Sequence, residues 1–134
     1  MGYSEEIEIN TGVQSELVDI TPQVHDAVRK SEVEEGVCYL FVPHTTAGLT
    51  LNENWDPSVQ EDILRTLSSL VPRNGNYRHA EGNAAAHIKA ILVGFSATIP
   101  VQHHALALGA WQGVYLAEFD GPRRRRVLVQ LIST

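Results

Sequence analysis

The sequence predicts an α+β fold, a β-sandwich of mainly antiparallel strands with about three helices, built as one domain over residues 1–134. Three observations point there. Helix-like and strand-like segments mix through the first two-thirds of the chain, and strand-like segments alone follow Gly94. That order fits an α+β sandwich better than a parallel α/β sheet. The length of 134 residues is that of a single domain. No linker, repeat or low-complexity stretch divides it, and glycine and proline are spread as punctuation.

Residues 5–9 set Ile7 and Ile9 against Glu6 and Glu8, the alternation of an edge strand. Leu17–Ile20 reads as a second strand. Thr21-Pro22 supplies a capping hydroxyl and a proline at a first helical position. Val24, Ala27 and Val28 form the inner stripe of that helix, and Gly36 lies beyond it. Val37–Val42 is a continuous apolar run, expected to be a central strand buried on both faces. Pro43 ends it, and Leu49-Thr50-Leu51 is a further short strand. Asp56-Pro57 opens the strongest helix, with Val59, Ile63, Leu64, Leu67, Leu70 and Val71 on one face. Glu61 and Arg65 stand as an i,i+4 pair on its outside, and Pro72 stops it.

A polar loop fills residues 73–82. Asn83 is expected to cap a short helix through Leu92, with its stripe at Ala84, Ile88 and Ile91 and with Gly94 after it. Strands are expected at Phe95–Val101, His104–Leu108, Trp111–Phe119 and Arg126–Ile132, the last two joined as a hairpin through Asp120-Gly121-Pro122. In the strand from Trp111, an aromatic face of Trp111, Tyr115 and Phe119 is read as core. Gln112 and Glu118 share the other face with Val114 and Leu116, so either needs a partner if buried.

Composition narrows the function. The net charge of −6 argues against a general nucleic-acid binder, which needs a basic footprint. The exception is Arg123-Arg124-Arg125-Arg126. It reads either as a solvated strand end or as a run in which one or two arginines, Arg125 first, turn inward to hold an anion. No apolar run approaches the roughly 20 residues that span a bilayer. The N-terminus lacks signal-peptide features, and the single Cys38, in a buried strand, permits no internal disulfide. The cytoplasm is the expected location. A core this small also favours an oligomer that buries more apolar surface.

The chemistry-bearing residues fall in three segments. His44 follows a buried strand, where a rigid scaffold hands a side chain to a site, and Thr45-Thr46-Ala47-Gly48 adds hydroxyls and backbone N–H groups suited to an anion. Glu53 and Asn54 are candidates for Mg²⁺ or a polar ligand, while Asp56 is either a helix cap or a catalytic acid. His79 in a loop and His87 in the first turn of a helix flank a Gly-Asn turn, a geometry that lets two imidazoles converge on one ion. Glu81 is a ligand, a carboxylate behind a ligand, or solvated. His25 reads as surface.

His44-Thr45-Thr46-Ala47, Glu53-Asn54-x-Asp56-Pro57, His79-x-Glu81-Gly82-Asn83 with Ala86-His87, Ile99-Pro100-Val101, and Leu108-Gly109-x-Trp111-Gln112 with Glu118 together resemble the YjbQ family. The match runs from about residue 4 to residue 132. The resemblance implies the YjbQ-like β-sandwich fold, a homotrimer, a pocket rich in these polar residues, and a weak, secondary thiamine-phosphate synthase activity. Two departures stand out. His103-His104 occupies the place of an Asp-Gly pair that family members often carry, and Ala85 replaces an acid before Ala86-His87. If that acid is a ligand elsewhere, His103 or His104 is the candidate to compensate.

Three readings follow. In the first, the chain joins a pyrimidine-methyl diphosphate to a thiazole phosphate and releases diphosphate. Glu53, Asn54, Asp56, Glu81 and Gln112 are then catalytic, and Thr45, Thr46 and Arg125 hold phosphate. His44, His79 and His87 are expected to converge on one divalent transition metal, zinc first, leaving a fourth tetrahedral position open, with Mg²⁺ held by Glu53 or Asp56 as the alternative. The second is a metal-dependent hydrolase or phosphatase on the same histidines, with Glu81 near a bound water. The third is a non-catalytic trimer that binds a metabolite or metal. All three take a phosphorylated small molecule or its like, with neither nucleic acid nor membrane as partner.

Overall fold

The computed structural model describes residues 2–134. The elements run β1 (Gly2–Asn10), β2 (Glu16–Asp19), α1 (Thr21–Lys30), β3 (Gly36–Phe41), β4 (Ala47–Glu53) and α2 (Pro57–Leu70), then α3 (Ala84–Val93), β5 (Ser96–Gln102), β6 (Ala105–Leu106), β7 (Gln112–Glu118) and β8 (Arg124–Ser133). Two sheets form the α+β sandwich. One has the order β1-β8-β3-β5-β6 and the other β2-β7-β4, and every ladder is antiparallel.

Alternation builds the core. Ile7 and Ile9 of β1, Cys38 and Leu40 of β3, and Val127, Val129 and Leu131 of β8 point inward from the larger sheet. Leu49, Val114 and Leu116 meet them from the smaller one, with Val24, Ala27 and Val28 of α1 packed against the same cluster. The back of the smaller sheet carries α2 and α3, where Ala86 and Ala90 pack with Ala117 and Phe119. Burial pushes the Cys38 thiol up to about 12, so it is inert at neutral pH as the sequence suggests.

Several sequence expectations change here. The Asp120-Gly121-Pro122 turn joins no hairpin, because β7 and β8 lie in different sheets, and the segment is a crossover. The central strand β3 is buried on one face only. Tyr39 and Phe41 point out from the larger sheet with Leu128 and Ile132 and remain exposed. On α3 the small residues Ala85, Ala86 and Ala90 face inward with Lys89, while Ile88, Ile91 and Leu92 face out. The reason is proximity. A Cβ on Gly48 of β4 would stand 2.5 Å from the Gly94 carbonyl, so the helix lies too near the sheet for large side chains.

Smaller corrections concern helix ends and pairs. Thr21 is the first residue of α1, and the Asp19 carboxylate accepts both its N–H (2.9 Å) and its hydroxyl (2.6 Å). Asn83 occupies the N-cap position of α3 without a capping hydrogen bond. Asp56 does cap α2, accepting from the Ser58 N–H at 3.0 Å. Arg65 pairs with Asp62 at 3.7 Å, not with Glu61. The aromatic face of β7 is core at Tyr115 and Phe119, but Trp111 is exposed and stacks edge-on against Trp55. The expected strand at His104–Leu108 shortens to Ala105–Leu106. His103 and His104 form the two-residue loop of the β5–β6 hairpin, at φ of 53° and 60°.

Candidate functional site

Three crossovers between the sheets gather at one end of the sandwich. Residues 42–46 carry the chain from β3 to β4, residues 11–15 from β1 to β2, and residues 119–123 from β7 to β8. Four side chains, Thr11, Thr46, Glu118 and Arg125, bind them together. Arg125 of β8 donates from Nε to Glu118 Oε1 at 2.8 Å and from Nη2 to Glu118 Oε2 at 2.5 Å. Its Nη2 also donates to the Thr46 hydroxyl at 2.8 Å. Glu118 further accepts from the Thr11 hydroxyl at 2.8 Å and from the Asp120 N–H at 3.0 Å. Glu118 is 0% exposed and Arg125 4%. Burial alone would raise the Glu118 pKa, but the hydrogen bonds from Arg125, Asp120 and Thr11 outweigh it and hold the carboxyl below its usual range.

Above this floor opens a cavity of about 350 Å³, lined by Pro43, His44, Thr45, Thr46 and Arg125, by Glu81, Asn83 and His87 at the start of α3, and by Asp120 and Arg123. Among the described residues, the Nη1 group of Arg125 meets no protein acceptor, and Arg125 lines this cavity and a neighbouring one beside Glu6 and Glu8. His44 Nε2 accepts the Arg126 N–H at 3.0 Å. The ring therefore carries its proton on Nδ1. Burial first, then the Arg125 and Arg126 charges, lower the His44 pKa against the opposing pull of Glu118, so the imidazole is neutral at neutral pH. Asn83 donates to Asp120 Oδ2 at 2.9 Å, and its buried Oδ1 has no hydrogen-bond partner.

The site thus unites His44, Thr45, Thr46, Glu81, His87 and Arg125 from three separate segments. The other expected members lie elsewhere. Glu53, Asn54 and Gln112 sit at the far end of the β4–β7 ladder, where Glu53 pairs with Gln112, whereas Ala47 pairs with Glu118 at the site end. Six strand residues separate the ends, roughly 20 Å. Local structure accounts for these groups. Glu53 accepts the Asp56 N–H (3.2 Å), Asn54 packs on Gly113, and Gln112 accepts the Gly109 N–H (2.9 Å). His103 and His104 bond to the loop before β3, through Glu35 and the Val33 carbonyl, and do not line the cavity.

The three histidines do not meet at a point. His79 and His87 stand edge to face with ring centroids 5.2 Å apart, and Glu81 is 3.7 Å from His79, but His79 faces a neighbouring hollow. Since His44 Nε2 already holds a backbone N–H, a three-imidazole centre does not fit this arrangement. Among the described residues no three His, Cys, Asp or Glu groups are placed to hold a metal ion.

The arginine run resolves by alternation. Arg123 pairs with Asp120 (2.9 Å), Arg124 with Glu8 (3.4 Å) and Arg126 with Glu6 (2.9 Å), while Arg125 turns inward to Glu118. No arginine of the four is left as a free basic charge. Glu118, Asp120, Arg123 and the orphaned acceptor of Asn83 are parts of the site that sequence reasoning underweighted. The buried-strand parity of Glu118 and Arg125 was their signal.

Comparison with known proteins agrees with the geometry. The profile of the family described as UPF0047 protein YjbQ-like matches residues 5–134. UPF0047 protein MJ1081 of Methanocaldococcus jannaschii is 53% identical over 94% of this chain and 91% of its own length. UPF0047 protein YugU of Bacillus subtilis is 41% identical over 95% and 97%. The crystal structure of a YjbQ/UPF0047 family protein from Clostridium acetobutylicum superposes with a TM-score of 0.94 at 48% identity, covering 96% of this chain and 99% of that one. A YbjQ-like protein from Sulfolobus solfataricus gives 0.96 at 36% identity, covering 100% and 99%. With its sandwich and its full-length relatives in agreement, the chain belongs to the YjbQ-like UPF0047 family.

Proposed function

We propose that the protein is a transferase of the secondary thiamine-phosphate synthase kind, joining a pyrimidine-methyl diphosphate to a thiazole phosphate. The observation that carries this reading is the fixed floor, in which Glu118 locks Arg125 with its Nη1 unpaired, at a cavity that Arg125 lines together with Thr46 and His44. In the reaction the thiazole nitrogen attacks the methylene carbon, and the carbon–oxygen bond to diphosphate breaks with its electron pair leaving on oxygen. Directed N–H donors at the oxygens that gain charge are what such a step needs. Glu118 cancels the charge of Arg125, so Arg125 acts through oriented donors, with the neutral Nδ1–H of His44 as a further one. Glu53, Asn54, Asp56 and Gln112 have no part in this version, since they lie at the other end of the ladder.

A second reading, metal-assisted phosphate hydrolysis, is favoured by the His79–His87 contact with Glu81 alongside. His79 and Glu81 are exposed enough to turn toward a shared zinc ion. One experiment separates the readings. Purified protein is analysed for bound metal, then given both phosphorylated substrates, or the diphosphate alone, with Mg²⁺ and with chelator. Coupled product with equal diphosphate release is expected, reduced about 10²-fold in Arg125→Lys. Phosphate release from the diphosphate alone, tied to zinc and lost in His87→Ala, would replace the transferase by the hydrolase. Binding without turnover leaves the non-catalytic reading.

We also propose the homotrimer. The outer face of the larger sheet supports it, with Tyr39, Phe41 and Leu128 lining a mainly apolar groove of about 450 Å³ and Ile132 exposed on the same sheet. Sedimentation should give three times the chain mass, and a monomer at micromolar concentration counts against it.

A further inference from the structure

Lys89 is the one lysine that the fold buries, at 6% exposure, and it has no carboxylate within salt-bridge distance among the described residues. Its Nζ reaches the Ser68 hydroxyl at 3.3 Å and lies 5.9 Å from the centre of the Phe119 ring. A buried ammonium without a counter-charge is expensive. The same ammonium lines a second, smaller cavity of about 110 Å³ between α2 and α3, which Arg73 also lines. The carboxylate in that lining, Asp120, is engaged through Oδ2 by Arg123 and Asn83. Ala85 and Ala86 bring the first turn of α3 to the cavity, and the N-cap Asn83 makes no side-chain cap there. Two cations, Lys89 and Arg73 (the latter also donating to Gln14 Oε1 at 2.8 Å), the Ser68 hydroxyl and the first turn of α3 therefore line one space of about the size of a phosphate group, in which the charge of the one lining carboxylate, Asp120, is paired with Arg123.

We infer that this cavity is a distinct small-oxyanion site, with Lys89 as the buried counter-charge and Arg73 as the second cation, and that its ligand is inorganic phosphate or a phosphate group. The site stands apart from the His44–Arg125 cavity and does not depend on the transferase reading. Asn83 and Asp120 form the wall between the two. Burial first, and then the Arg73 charge, lower the Lys89 pKa. A bound anion offsets both causes, so occupancy favours the charged amine.

The test uses inorganic phosphate and the full chain. Phosphate should raise the Tm of the wild type with dose, as a ligand of the native state does. In amide NMR spectra the signals of Ser68, Arg73, Ala85 and Ala86 should move with it. Arg73 is exposed, so Arg73→Gln should fold normally and weaken phosphate binding by about tenfold, the loss of one charged hydrogen bond. Lys89→Met should abolish the response while keeping the phosphate-free Tm at or above that of the wild type, since it removes an uncompensated buried charge. If Lys89→Met does not fold, Arg73→Gln decides alone. Signals moving only at Thr45, Thr46 and Arg125, or a titration of Arg73→Gln that matches the wild type, would overturn the inference.

Discussion

Replacing Glu118 with glutamine is expected to lower the unfolding free energy by about 3–5 kcal/mol, because it strands a buried guanidinium. For a chain of this size that is a loss of roughly 10–20 °C in Tm. Glutamine keeps the shape of the side chain but loses the charge. Its amide nitrogen would also face a donor on either side, because both carboxylate oxygens now accept, from Arg125 and Thr11 on Oε1 and from Arg125 and Asp120 on Oε2. The double replacement Glu118→Leu with Arg125→Met should recover much of the loss, since neither charge is then buried alone. Equilibrium urea unfolding of the three variants measures this.

The same carboxylate sets an acid limit. The folded pKa of Glu118 lies below its ordinary value of 4.5. Its contribution is therefore complete above about pH 4.5 and is lost as pH falls through the folded value. The gap in stability between wild type and Glu118→Gln should stay constant from pH 7 to pH 5 and narrow below that. A gap that widens on acidification would show that the pairing with Arg125 is not what holds the carboxyl ionised.

The sequence reveals this fold unevenly, for physical reasons. Strand alternation and the Asp56-Pro57 helix start are local signals, and they place β1, the span of α2 and the inner residues of β8 correctly, although Leu70 of the expected α2 stripe is 70% exposed. Sheet membership is not local. The turn at Asp120-Gly121-Pro122 carries hairpin residues yet moves the chain from one sheet to the other, and only the burial of Glu118 against Arg125 betrays it. Hydrophobicity also misleads on α3. Its isoleucines face out because α3 lies too close to β4 for them, so the alanines and Lys89 occupy the inner face.

The site shows the same division. His44, Thr46, His87 and Arg125 come together because each ends or begins an element at one end of the sandwich. The Glu53–Asp56 segment is only seven to ten residues beyond Thr46 in sequence, but β4 is extended and carries it to the opposite end. Nearness along a chain is a poor guide once a strand intervenes. Helix-loop nearness did better, since the contact of His79 with His87 was readable from the Gly82-Asn83 turn between them.

Gly48 is the position where packing and site depend most directly on one atom. A methyl group there would stand 2.5 Å from the Gly94 carbonyl oxygen and 3.2 Å from Val93 Cγ1. Its backbone is otherwise ordinary, so the demand is space and not φ. Leu49 N–H also donates to that Gly94 carbonyl at 2.9 Å, which ties the end of α3 to β4. Gly48→Ala must therefore push the end of α3 away or break this bond, at a cost of about 1–3 kcal/mol for overpacking. Because α3 carries Asn83, His87 and Lys89, its displacement should disturb both cavities together. The expected result is a lower Tm and a weaker phosphate response in the same variant. Trimming the neighbour, as Gly48→Ala with Val93→Ala, should not restore either, since the hard contact is with a backbone oxygen that no side-chain change removes. Recovery in that double variant would show that Val93, and not the backbone of α3, sets the spacing.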